Sequence, residues 1–391
     1  MLSTPAIVTL GHADNLYLPD SSVDLIVTSP PYFNLRAYQD GGETYADQIG
    51  AEATPVEYLD RLIACTAEWM RVLKPSGSIF VNLGDKYGKD KRLGMLPARY
   101  AIRCADELGL ILRAEIVWAK PNGLPESVTD RVRRSHEQVF HFVKQPRYYA
   151  AMDEIREPHS QEGPAVTMRR VRAERAAGLR VDPENDNVAR GRRDAESIGK
   201  SVSSPLGKLP GSVWSIPTVP LRVPKELGID HFAAYPPELV RRIILGWSPR
   251  EVCTVCGEGR WPVVDYGEKV SSSVGAPLDG TNVGRYLTSS GRADGNANAK
   301  LRTSSGDALP RRQATLTGYA CACPDTSAPA TPGVVLDPFG GTGTTALVAS
   351  VHGRVGISVD LSADYCRLAH WRTSDPVQRE RAARVPKPKK D

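Results

Sequence analysis

No run in this 391-residue chain is apolar over the roughly twenty residues that a helix needs to span a bilayer, so no transmembrane helix is expected. The N-terminus lacks a basic stretch followed by an apolar core, and no secretory signal is expected either. Cysteine is sparse and odd in number, with seven residues. Cys65, Cys104 and Cys366 lie scattered through helix-like or strand-like stretches, which suits a reducing cytoplasm rather than a disulfide framework. No internal repeat is evident. Charge is nearly balanced: the net value of +5 leans only mildly towards a polyanionic partner. With 41% hydrophobic and 24% charged residues, the composition is that of a soluble globular protein. The length allows one large α/β domain with insertions, or two domains.

The distinctive stretch is Ser29-Pro30-Pro31-Tyr32. It closes a short apolar, β-branched run, Leu25 to Val27, of the kind that forms a buried parallel strand. Two prolines end that strand, because neither donates to a ladder and each fixes φ. A polar-Pro-Pro-aromatic corner is then expected at the C-terminal edge of a sheet, where open α/β folds bind ligands. Its chemistry suits an exocyclic amine, whose lone pair is delocalised into a base ring. The Ser29 hydroxyl and the rigidly held Pro30 carbonyl accept the two amine protons and favour a pyramidal, nucleophilic nitrogen. Tyr32 offers a flat face to an extruded base. The competing reading is a strand-terminating turn with a surface tyrosine.

Strands are expected over residues 6–10, 78–83 and 112–118, with another over 137–143, and helices over 56–72 and about 93–108. Lys74-Pro75-Ser76-Gly77 reads as the stop after the first helix. The alternation marks a doubly wound, mostly parallel sheet. Asp14, just past the first strand, is a turn residue or a ligand contact. Residues 160–209 are poor in large apolar side chains and rich in arginine, as expected of a phosphate-contacting arm or of a solvated surface segment. A second insertion, with a Gly/Ser/Asn-rich middle (267–306), is bracketed by Cys253-Thr-Val-Cys256 and Cys321-Ala-Cys323. A C-x-x-C knuckle chelates one side of a tetrahedral ion, and a second pair completes a four-thiolate zinc site; free thiols or disulfides are the alternative.

Near the C-terminus, Gly333 to Leu336 reads as a buried strand followed by Asp337-Pro338-Phe339-Gly340-Gly341-Thr342-Gly343-Thr344-Thr345 and a helix. A second strand ends in Asp360. This is a nucleotide-binding βαβ unit, in which glycines admit the ligand to the backbone and the later acid takes ribose hydroxyls. The glycines alone also satisfy a dinucleotide fingerprint.

Together and in this order, Thr28-Ser-Pro-Pro-Tyr32 and Asp337-Pro-Phe-Gly-Gly-Thr-Gly-Thr-Thr345 resemble the amino-methylating DNA methyltransferases that use S-adenosylmethionine. The catalytic motif precedes the cofactor motif, as in that family's permuted β group. The resemblance covers both ends of the chain and residues 231–247, but not the two insertions. It implies a Rossmann-like methyltransferase fold and a catalytic role for Ser29, Pro30, Pro31 and Tyr32. Cofactor contacts fall to Asp337, Phe339, Gly341, Gly343 and Thr344, with Asp360 on the ribose, Asp14 facing the adenine, and His231 and Phe232 closing the methionine end. Arg131, Arg133 and Arg134 are expected on DNA phosphates. Serine in the tetrad favours cytosine-N4, with adenine-N6 as the alternative. No Pro-Cys dipeptide occurs, so the cysteine nucleophile of cytosine-C5 methylation is missing. Transfer to a protein or RNA amine, or a non-catalytic DNA-binding role, is more remote. The implied partner is double-stranded DNA. A cognate restriction endonuclease, and a monomer or homodimer, are left open, and no membrane is involved. The expected organisation is a catalytic half (1–158), an arginine-rich insert with a recognition role (159–210), a cofactor-side segment (211–250), the cysteine-bracketed insertion (251–330) and the cofactor-binding half with a basic tail (331–391).

Overall fold

The computed structural model describes residues 4–34, 39–40, 43–44, 48–123, 125–158, 204, 206–229, 234–265, 314–321, 323 and 327–384. His231, Phe232, most of the arginine-rich insert and the middle of the second insertion lie outside the described residues. The chain divides into two units: Met1–Ile155 with Gly211–Pro262 and Tyr319–Asp391, and Arg156–Pro210 with Val263–Gly318. In the second unit, Glu157 and Lys208 exchange two backbone hydrogen bonds of 2.9 Å at the base of the arginine-rich insert.

The first unit is built on one sheet. Its strands are β1 (Ala6–Leu10), β2 (Val23–Thr28), β3 (Leu73–Leu83), β4 (Ile111–Ala119), β5 (His136–Val143), β6 (Val213–Ser215), β7 (Val334–Asp337) and β8 (Val355–Asp360). They lie in the order β1-β8-β7-β2-β3-β5-β4-β6. Every adjacent pair is parallel except the two made by β5, which is antiparallel to both β3 and β4. The expected mostly parallel, Rossmann-like sheet is therefore present. β2 and β7, far apart in sequence, pair directly, with Leu25 opposite Val335. Asp24 reinforces that junction: it accepts from the Val334 amide at 2.8 Å and from Lys74 at 2.7 Å.

Alternate side chains of the strands feed two cores, as the two-residue period of a strand requires. Ile26, Ile79 and Val81 pack with α1 (Pro55–Val72) and α2 (Leu96–Leu108). Leu25, Val27 and Phe80 pack with α3 (Pro237–Trp247) and α4 (Thr344–Val351) on the other face. The start of α1 is set by Thr54, whose hydroxyl accepts from the Glu57 amide at 3.2 Å while the Glu57 carboxylate accepts from the Thr54 amide at 3.0 Å. β3 begins earlier than expected. Leu73 already pairs with Val23, and Lys74 to Gly77 form an irregularity before Ser78 pairs with Leu25. α1 ends at Val72, as expected, and the Pro-Ser-Gly stretch that follows is a bulge in β3, a place where a strand tolerates proline. No helix among the described residues is long and apolar enough to cross a membrane.

Candidate active site

The direction of the strands gathers the site. The C-terminal ends of β2, β3, β4, β7 and β8 lie at one edge, and the antiparallel β5 brings its N-terminal end there. Ser29 to Tyr32 follow β2, Asn82 sits near the end of β3, Lys120 follows β4 and Glu137 opens β5. All of them line one cavity of about 300 Å³, together with Asp337, Phe339, Gly341, Thr344 and Asp360.

Ser29 is oriented as an acceptor. Its hydroxyl donates to the Asn82 carbonyl at 3.2 Å, and its oxygen receives the Asn82 side-chain amide at 3.2 Å. The hydroxyl proton is thereby held on backbone, which leaves oxygen lone-pair density for a substrate N–H. The same Asn82 amide reaches the Tyr32 hydroxyl at 2.9 Å and Glu137 Oε2 at 2.7 Å. Tyr32 itself donates to Glu137 Oε2 at 2.7 Å, and Lys120 pairs with the other carboxylate oxygen. Burial, then the neighbouring Glu137 carboxylate, raises the Tyr32 pKa well above that of free tyrosine, so the phenol stays a donor. The ring of Tyr32 rests on the backbone of Gly84, where an added Cβ would lie 2.5 Å from Cε2. Only glycine fits there. Tyr58 donates to the Pro31 carbonyl at 2.9 Å and pins the corner from α1.

The second corner is held with equal economy. Asp337 is buried; it accepts from the Tyr235 hydroxyl at 2.6 Å, the Thr345 hydroxyl at 2.8 Å and the Phe339 amide at 3.1 Å. Burial raises its pKa above the ordinary carboxylate range, against these hydrogen bonds. Gly343 takes φ 73° at the start of α4, and a Cβ there would lie 2.8 Å from the Ala369 Cβ. Glycine meets both demands. Behind the turn, buried Arg372 donates to the Thr342 and Thr344 hydroxyls, each at 2.6 Å, and burial pulls its pKa down to about 10. Asp360 spans the turn, accepting from the Gly341 amide at 2.7 Å and the Ser362 amide at 2.9 Å. Phe339 meets the edge of Trp69 at 5.9 Å between centroids.

This donor set fits S-adenosylmethionine. The cavity offers two carboxylates, Asp337 and Asp360, and the backbone of the glycine turn beside them. Ile49, Phe339 and Tyr365 give apolar walls.

The other expected residues fall in different places. Asp14 is exposed in the turn after β1, close to the Asp360 end of the neighbouring β8, and is not among the cavity's lining residues. Arg131 donates to Glu126 at 2.8 Å and lies over the Tyr87 ring at 3.8 Å. Arg133 is exposed and donates to the Gly123 carbonyl at 2.8 Å. Arg134 turns inward to buried Asp85, 3.5 Å away. The sulfurs of Cys253, Cys256, Cys321 and Cys323 converge within 4.8 Å of one another. Cys253 and Cys323 are 3.9 Å apart, close to the edge of about 3.8 Å of a tetrahedron with metal–sulfur bonds of roughly 2.3 Å. Backbone N–H groups of Cys256 and Val255 pull the Cys253 thiol down to about 6, towards the thiolate a metal binds. Asn82, Lys120 and Glu137 were not singled out by sequence; their signal, a polar residue at the end of an apolar strand, needs the sheet order to be read. Tyr235, in the loop before α3, was not singled out either.

Comparison with known proteins agrees with this geometry. The family described as DNA methylase, whose short title joins N6 and N4 methyltransferases, matches residues 23–253 and 327–370. The chain belongs to this family of amino-methylating DNA methyltransferases. The matched stretches hold both corners and leave out Cys256, Cys321 and Cys323. The Type II methyltransferase M.SfiI of Streptomyces fimbriatus is 37% identical over 41% of this chain and 40% of its own length. The Type II methyltransferase M.XycI of Xanthomonas campestris pv. cyanopsidis is 33% identical over 58% of this chain and 67% of its own. The chain thus spans well under two thirds of M.SfiI. Among solved structures, PvuII DNA methyltransferase (cytosine-N4-specific) shares the fold, with a TM-score of 0.52 at 18% identity over 97% of this chain and 93% of that one.

Proposed function

We propose that this protein is a site-specific DNA methyltransferase that moves the methyl group of S-adenosylmethionine to the exocyclic amine of a flipped base, cytosine-N4 before adenine-N6. The observation that carries this reading is the acceptor-oriented Ser29 hydroxyl in the same cavity as Asp337 and Asp360. When bound, the cofactor supplies an electrophilic methyl on a sulfonium sulfur. Asp360 takes its ribose hydroxyls, and Asp337, Phe339, Gly341, Gly343 and Thr344 surround the rest. Ser29 Oγ and the Pro30 carbonyl accept the two amine protons of the base and aim the nitrogen lone pair, while the Pro31-Tyr32 wall supports the ring. Ser29 in place of an acidic or amide side chain is the reason for placing cytosine first.

Duplex DNA approaches the sheet edge that carries the cavity. Arg131 and Arg133 are suited to its phosphates, whereas Arg134, drawn to Asp85, positions that segment. The arginine-rich insert is assigned to sequence recognition by its place in the chain. A cognate restriction endonuclease is the further partner to look for. The four converging thiols hold one structural zinc ion, which ties Glu251–Cys253 to the return of the insertion. Transfer of tritiated methyl groups to duplex DNA, RNA and protein side by side tests the substrate class, and nucleoside analysis of the product identifies the base. Label found on protein or RNA alone would sink the reading.

A further inference from the structure

We infer that Glu137 is the end of a proton relay that drains the target amine through Ser29 and Tyr32, with Lys120 holding the carboxylate in place. The inference rests on the proposed amine methylation. The methylated nitrogen carries a positive charge and one hydrogen too many, and in a half-closed cavity that proton needs an exit. The hydrogen-bond chain on the page supplies one. Ser29 Oγ lies 3.4 Å from the Tyr32 hydroxyl, and Tyr32 donates to Glu137 Oε2 at 2.7 Å. In the relay the N–H bond breaks as Ser29 Oγ takes its proton. The serine's own proton swings from the Asn82 carbonyl to the Tyr32 oxygen, and the phenol proton passes to Glu137. Ser29 and Tyr32 end neutral and unchanged, and Glu137 ends as a neutral acid. A cationic N4-methylcytosine nitrogen is far more acidic than a carboxylic acid, so the transfer runs downhill even beside the Lys120 ammonium.

The groups facing Glu137 are few. Among the described residues, Lys120, just past β4, is the cation, Tyr32 is the donor, and Asn82 and Ser29 are neutral; Asp337 and Asp360 stand on the other walls of the cavity. Asn82, whose two amide hydrogens are shared among Ser29, Tyr32 and Glu137, is a positioning residue that keeps the chain in line. A purely structural Glu137–Lys120 pair would hold the loop without this directed sequence of donors.

The test uses the full chain. Glu137→Gln keeps the shape and an acceptor oxygen but is not a base, and Tyr32→Phe keeps the ring but breaks the chain. Each is expected to slow single-turnover methyl transfer to duplex DNA by about 100-fold, the lower range for a lost acid–base group. The double variant is expected to be no slower than either single one, because both cut the same path. Glu137→Asp, which keeps a carboxylate, should transfer methyl faster than Glu137→Gln. In cofactor-free protein the carboxyl carbon resonance of Glu137, assigned by its loss in Glu137→Gln, should move in Tyr32→Phe. Losses that multiply in the double variant, an unmoved resonance, or Glu137→Gln at the wild-type rate would overturn the relay. Should Glu137→Gln not fold, Tyr32→Phe decides alone, and its wild-type rate would have the same force. Wild-type protein inert on DNA overturns the proposed function and the relay with it, whereas active wild type with silent substitutions overturns the relay only.

Discussion

Replacing Ser29 by alanine removes one oxygen and little else. In the folded protein that oxygen has three protein partners, the Asn82 carbonyl and the Asn82 side-chain amide, each at 3.2 Å, and the Tyr32 hydroxyl at 3.4 Å. The amide keeps Tyr32 at 2.9 Å and Glu137 at 2.7 Å, so it is not stranded. The Asn82 carbonyl loses a donor, at a stability cost of about 1 kcal/mol. The catalytic loss is larger. A preorganised polar contact made where the reacting group gains charge is worth roughly 2.7–4 kcal/mol, or about 10²–10³ in kcat. Ser29→Ala is therefore expected to slow single-turnover methyl transfer by about 100-fold. Cofactor affinity should be unchanged, because no hydrogen bond joins Ser29 to the glycine turn or to Asp360 among the described residues. Rapid-quench measurement with labelled cofactor reads the first quantity and calorimetry the second. A variant that transfers methyl at the wild-type rate refutes the amine-holding role. One that loses cofactor binding instead shows that Ser29 serves the other half of the cavity.

Asp360→Asn is expected to do the reverse, weakening cofactor binding by about 1–3 kcal/mol through a poorer ribose acceptor and the loss of one of two backbone contacts, because Gly341 and Ser362 bond different carboxylate oxygens, as calorimetry would show. Stability should fall between pH 7 and pH 5 by about 2 kcal/mol from His141 alone. That residue is buried, stacked on Phe80 at 4.3 Å between centroids and beside Trp247, and burial pulls its pKa down to about 3. A depressed histidine contributes stability above its ordinary value of 6.5 that is lost as pH falls towards about 3, so urea midpoints should drop with acid and His141→Phe should flatten the slope. Partly buried His352, drawn down to about 4, adds to the same trend. Protein purified without chelator should carry one zinc per chain by elemental analysis; Cys321→Ser should lose it while cofactor binding persists, and metal-free wild type would refute the site.

How much of this could be read from sequence follows from what kind of residue carries each feature. The two corners are written in backbone chemistry. Prolines end β2 whatever surrounds them, and Gly343 takes a positive φ that few other residues adopt, so both corners stood out before any contact was known. Spacing did the same for the cysteines, because a C-x-x-C turn brings two sulfurs together locally and Cys321 and Cys323 then return to them. The polar chain beneath Ser29 is of another kind. Asn82, Lys120 and Glu137 come from three strands, and their meeting depends on β5 running against its neighbours. The apolar run that follows Glu137, ending at Val143, reads as a strand in either direction, so it could announce a strand but not which end faces the cofactor. Arg134 shows the same limit with charge. Beside Arg131 and Arg133 it reads as one of three phosphate ligands, yet Asp85, on the loop after β3, draws it inward. Local signals thus locate where the chain must turn, while the partner a polar side chain meets is decided by strand order. That is why the relay residues, which touch only through the sheet, became visible last.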